Sequence, residues 1–170
     1  MKNMLLAHEC IGEKRYREVY GLAYEEFELG DIFEHRPGRT VTEVDNIWQS
    51  LIDMNKHPVH IDLAYAQRTE FNGLLVSSSV TLSIISGMTV STMSARATAN
   101  LGWDEIRLPN PVLVGDTLYA ESEVVSKRES VSRPNEGIVT IKVICRKQDS
   151  TVVITYFRTF LVPKKAYSIN

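Results

Sequence analysis

Hydrophobic and polar positions divide the chain into a helical part followed by a stranded part. Val44, Ile47, Trp48, Leu51 and Ile52 recur at helical intervals on one face. Thr42 followed by Asp45 has the spacing of a capping box, so this pattern predicts a helix ending near Met54. The stretch before it, 32–40, contains Pro37 and Gly38 and reads as extended. Pro58 excludes a helix interior at its position, so MNKHPVH reads as a turn that projects polar side chains in different directions. Asp62 then caps a short helix through Tyr65 and Ala66.

From Phe71 to Ala95 the chain carries no charge. Its many Ser and Thr residues dilute it below transmembrane hydrophobicity, so it reads as a helix buried in protein. Ser79, Ser83, Ser86 and Gly87 recur at helical spacing in it, and such small residues would let a sheet wrap closely around the helix. Beyond residue 98 the period becomes two. Leu118, Ala120, Ser122 and Val124 alternate with polar neighbours, as do Val139, Ile141, Val143 and Cys145. Residues 99–108 and 152–162 are two further strands, with turns at Pro109–Pro111, Gly115–Asp116 and Gln148–Ser150. One buried helix followed by antiparallel strands is an α+β arrangement.

Length and charge narrow the function. The 170 residues suit one domain, read as an N-terminal extension over 1–24 and a compact unit over 25–170. A net charge of −2 lacks the basic excess of a nucleic-acid binder. The apolar patch Met4–Ala7 is too brief for a signal-peptide core, and Cys10 and Cys145 make no CxxC pair, so a reducing cytoplasm is the expected location, without membrane attachment.

The order of elements resembles the hot-dog fold, in which a curved antiparallel sheet wraps a central helix, and the motifs resemble the MaoC-like acyl-CoA hydratase/dehydratase family. That family's catalytic loop reads roughly Asp-x-Asn-Pro-aliphatic-His, then an acidic residue and Tyr-Ala or Phe-Ala. Here Asn55-Lys56-His57-Pro58-Val59-His60 is followed by Asp62 and Tyr65-Ala66. LPNPVLVGDTL, from Leu108 to Leu118, is similar to a second family pattern. RPGRTVTEVDN, MNKHPVHID, NLGWDEIRLP and SRPNEGIV look most like the branch associated with itaconyl-CoA or mesaconyl-CoA hydration.

The resemblance implies reversible addition of water to a 2-enoyl-CoA, with no metal or redox cofactor, in a homodimer or larger homo-oligomer. His60 is the implied general acid/base. The family's catalytic Asp falls on Asn55, which cannot exchange a proton but can hold a water. Ser77-Ser78 replaces His-Gly at the start of the central helix, with the backbone N–H of Ser78 as oxyanion donor, and Ser86 matches the serine that supports the catalytic carboxylate in related hydratases. Arg128 and Arg133 are candidates for a substrate carboxylate, and Arg107 and Arg96 for CoA phosphates. His57 is expected to be structural or substrate-adjacent. A metal held by His57, His60 and Asp62 is disfavoured, because one tight turn surrounds a cation poorly. A hot-dog thioesterase and a non-catalytic acyl-thioester binder remain alternatives.

Overall fold

The structure, a computed structural model, describes residues 8–168, so the Met4–Ala7 patch lies outside the described residues. An exposed hairpin opens it, β1 (His8–Gly12) with β2 (Arg15–Glu18). The main sheet then begins at β3 (Ile32–Thr40), which is extended as Pro37 and Gly38 predict. Next comes α1 (Glu43–Ile52), opened by the anticipated capping box, in which Thr42 Oγ1 accepts from the Asp45 N–H and Asp45 accepts from the Thr42 N–H. Two short helices follow, α2 (Pro58–Ile61) and α3 (Leu63–Ala66). The long helix α4 (Ser78–Thr89) continues into a π-helical turn over Val90–Ser94. Four strands complete the chain: β4 (Ala99–Arg107), β5 (Thr117–Glu129), β6 (Glu136–Lys147) and β7 (Val152–Pro163). Among the described residues no helix is long and apolar enough to cross a membrane.

The five strands of the main sheet lie in the order β3-β5-β6-β7-β4, all neighbours antiparallel. Alternation along them supplies the core. Leu118, Ala120 and Val124 on β5, Val139, Ile141 and Val143 on β6, and Ile154, Tyr156 and Phe160 on β7 are buried, and α4 contributes Val80 and Ile85 to the same cluster.

The structure adds the direction of one helix and changes two local readings. The apolar face of α1 points outward, with Val44, Trp48, Leu51 and Ile52 exposed, while its buried residues are Asn46 and Ser50. The reason is position, because α1 packs chiefly on α2 and α4. Of the small residues of α4 only Ser86 reaches the sheet, at the Tyr156 hydroxyl of β7: Ser83 and Gly87 are exposed, nothing beyond its own helix lies within 4 Å of where a Gly87 Cβ would stand, and bulkier Val80, Thr81, Ile85 and Thr89 point inward. MNKHPVH is more than a turn, since Pro58 sits at the first position of α2, where its missing N–H costs no hydrogen bond.

His35, buried on β3, bonds Ser122 Oγ through Nε2 at 2.8 Å, and its Nδ1 has no partner. Burial, and after it the neighbouring Arg36, hold its pKa down to about 4. The folded state thus binds this proton more weakly than the unfolded chain, whose ordinary value is near 6.5. Stability from His35 is present above pH 6.5 and is lost as pH falls toward 4. Thermal melting across that window should show a falling midpoint, with a shallower fall in His35→Asn; equal slopes would exclude His35 as the cause.

Candidate active site

The site is built where α1 ends. Met54 adopts a positive φ of 57°, and the N–H groups of Met54 and Asn55 return to the carbonyls of Leu51 and Ser50, a Schellman closure that delivers Asn55 to the start of the loop. The Asn55 side chain then shapes the turn. Its Oδ1 accepts from the His57 N–H at 3.1 Å and its Nδ2 donates to Ser77 Oγ at 3.4 Å. His57 caps α2, with Nδ1 accepting from the Val59 N–H at 3.3 Å, so its expected structural role has a physical form. Asp62 caps α3 by accepting from the Tyr65 N–H at 2.9 Å.

His60 lies one turn into α2 and is half-buried. Its Nδ1 sits 2.8 Å from the carbonyl oxygen of Leu75. A carbonyl only accepts, so Nδ1 carries the hydrogen and, in the neutral ring, Nε2 carries the lone pair. His60 is therefore presented as a base through Nε2. The His57 ring centroid is 5.7 Å away.

Asn46 ties this loop to the long helix, and sequence reasoning missed it. It is fully buried, and its Nδ2 donates to the carbonyls of His60 (2.8 Å) and Leu75 (3.2 Å) while its Oδ1 accepts from the Ser77 N–H (2.9 Å). One amide thus holds the segment bearing His60, the carbonyl that orients its ring, and the cap of α4. Asn46 falls on the face of α1 opposite Val44, Trp48 and Leu51, where an amide is ordinary, so nothing in the sequence marked it.

Ser77 caps α4 from extended backbone, and its hydroxyl shares a 3.0 Å hydrogen bond with Ser79, which in turn donates to Asp53. The Ser77 N–H is taken by Asn46, whereas Ser78 opens the helix, where N–H groups lack intrahelical acceptors and the dipole favours negative charge. Ser86 is elsewhere. It is nine residues along α4, about 13 Å by helical rise, and pairs with the Tyr156 hydroxyl at 3.3 Å, so one chain does not bring it to Asn55.

The contacts Ser86–Tyr156 and Thr89–Arg158 show that α4 and β7 run in the same direction. Register then sorts the arginines. Arg107 pairs with Thr155 toward the end of the sheet that holds the N-terminus of α4, and its Nη1 donates to the carbonyl of Ile106. Arg128 lies opposite Ile138 toward the other end, and Arg133 makes a 3.3 Å ion pair with Glu136 there, in an open cleft of about 830 Å³ that Arg96 also lines. Arg128 and Arg133 are thus not gathered around His60. Among the described residues no group of three or more His, Cys, Asp or Glu is arranged to hold a metal ion.

A family model described as mesaconyl-CoA hydratase matches residues 8–169. The chain belongs to the mesaconyl-CoA hydratase family. This is the branch to which the loop and strand motifs pointed. Similar proteins include the mesaconyl-CoA hydratase of Cereibacter sphaeroides, 29% identical over 145 residues that cover 85% of this chain and 42% of that protein. A MaoC domain protein dehydratase from Chloroflexus aurantiacus superposes with a TM-score of 0.79 at 29% identity, over 85% of this chain and 41% of that one. A Mycobacterium tuberculosis protein with a double hot-dog fold superposes with a TM-score of 0.79 at 22% identity, over 88% of this chain and 46% of that one, a likeness of fold. The present chain is one hot-dog unit. It spans about two-fifths of the length of the curated relatives it matches.

Proposed function

We propose that this member of the mesaconyl-CoA hydratase family is a hydro-lyase that adds water reversibly to a 2-enoyl-CoA, with a C5 dicarboxylic acyl group such as mesaconyl or itaconyl as substrate. The observation that carries this reading is the orientation of His60, whose Nδ1 bond to the Leu75 carbonyl leaves Nε2 as the basic nitrogen. In the forward step Nε2 takes a proton from water as the water oxygen bonds to the β-carbon. The displaced π electrons move toward the thioester oxygen, which accepts the N–H of Ser78 at the start of α4. Nε2 then returns the proton to the α-carbon, the thioester carbonyl re-forms, and His60 ends as it began. Asn55 contributes no proton, and with its Oδ1 and one Nδ2 hydrogen engaged, the other Nδ2 hydrogen is available to the attacking water. The hot-dog unit proper is residues 25–170 with the 8–18 hairpin as an appendage, the protein works as a homodimer, and CoA chemistry of this kind places it in the cytoplasm.

Loss of the conjugated-thioester absorbance tests the reaction. Mesaconyl-, itaconyl- and crotonyl-CoA should be compared, and a hydroxyacyl-CoA product with no free CoA is the expected result. Release of CoA would favour a thioesterase, and no turnover of any of the three would leave only the binding function.

A further inference from the structure

We propose that the site is completed by a second copy of this chain, whose Arg158 receives the distal carboxylate of the dicarboxylic acyl group held at His60. The substrate in this proposal rests on the hydratase reading above. Arg158 lies on the inner face of β7 and is 8% exposed. Its Nε donates to Asn100 Oδ1 at 2.7 Å and its Nη1 to Thr89 Oγ1 at 3.1 Å, while the rings of Trp103 and Phe160 lie 6.0 and 5.8 Å from the guanidinium carbon. None of these neighbours is an anion, and among the described residues no carboxylate stands within ion-pair distance of it. Burial accordingly holds the guanidinium below its ordinary pKa. A buried cation without a counter-charge is costly to maintain, and a planar fork with donors to spare matches a carboxylate in bidentate fashion. Beside it Ser86 and Tyr156 continue a polar strip along the same flank of α4.

Within one chain this strip cannot serve His60. From Ser77 to Thr89 the helix rises about 18 Å, whereas a C5 acyl group spans roughly 5 Å from thioester carbon to distal carboxylate. The strip does lie beside β4, which ends the sheet. The outer edge of β4 has no strand partner among the described residues, and Leu101 and Trp103 on it are 52% and 43% exposed. Two copies joined edge to edge about a two-fold axis set their α4 helices side by side and antiparallel, so the N-terminus of each is carried toward the Ser86–Arg158 flank of the other. A neighbour with a double hot-dog fold carries two such units together, and in this proposal a second copy of the present unit takes the other place.

Calorimetric titration in a His60→Ala background reads the receptor without turnover. His60→Ala protein should bind mesaconyl-CoA roughly 10- to 100-fold more tightly than crotonyl-CoA, which has no second carboxylate. Adding Arg158→Leu in that background should abolish the preference while crotonyl-CoA affinity stays, and Arg158→Lys should keep part of it. Equal affinities in His60→Ala, or a parallel loss of both ligands when either Arg158 change is added, would overturn the assignment and leave Arg158 as a tie between α4 and β4. Mixing His60→Ala with Arg158→Leu protomers then tests the placement. A mixed dimer holds one site with both native residues, so the mixture should regain about a quarter of the wild-type rate on mesaconyl-CoA, and no gain over the parent variants would refute a contribution from the second copy. If the binding preference and its loss are seen but no thioester is hydrated, the receptor stands and the hydratase reading fails.

Discussion

His60→Ala is expected to lower kcat/KM for enoyl-CoA hydration by about 10²- to 10⁴-fold, the range for removal of a positioned acid/base. No carboxylate stands in the catalytic loop to replace it, because the position at which the family has an aspartate is Asn55. KM should change little, since Nε2 acts on water and the α-carbon and does not hold the CoA. The same pairing separates stability from chemistry in a variant that retains a polar group. His60→Gln supplies an amide of similar reach that can still bond the Leu75 carbonyl, so it should keep the melting temperature of the wild type and yet be as inactive as alanine. Rates within tenfold of wild type in either variant would remove His60 from the chemistry, and the hydration mechanism with it.

The elements that position His60 were legible because their causes are local. The Thr42–Asp45 capping box, Asp62 as a cap and the period-two strands each depend on residues a few positions apart, and all are present. The direction of α1 was not legible. A stripe of Val44, Trp48, Leu51 and Ile52 is the same in sequence whether it covers a sheet or faces outward, and only the placement of α1 on α2 and α4 decides. The small residues of α4 misled for a related reason: Ser83 and Gly87 suit a close approach, but the sheet approached the Val80–Ile85 face. Arg158 did carry a signal, being a charge at an inward position of β7 between Tyr156 and Phe160. Resemblance directed attention instead to Arg128 and Arg133, which are exposed, Arg133 with Glu136 as its counter-charge, whereas Arg158 is buried.

The second large effect belongs to Asn46. Its partners, His60, Leu75 and Ser77, are 14, 29 and 31 residues away, so no local pattern could assign it. Asn46→Leu nearly preserves volume but leaves the His60 carbonyl and the Ser77 N–H without a partner in a buried setting, and the Leu75 carbonyl with His60 Nδ1 alone, and each unpartnered group costs about 1–3 kcal/mol. A loss of roughly 3 kcal/mol or more in denaturant unfolding is therefore expected. Activity should fall further than stability accounts for, because the Leu75 carbonyl that sets the His60 tautomer and the Ser77 cap that precedes the oxyanion donor are released together. Asn46→Asp separates the two contributions. A carboxylate still accepts the Ser77 N–H but cannot donate to the carbonyls of His60 and Leu75 while ionised, so it should retain the α4 cap and lose the hold on the loop. Protonation restores one donor, so the rate of Asn46→Asp relative to wild type should rise as pH is lowered through the titration of the new carboxyl. A flat ratio across that range would mean that Asn46 supports the fold without positioning His60, and the orientation of the imidazole would then rest on α2 alone.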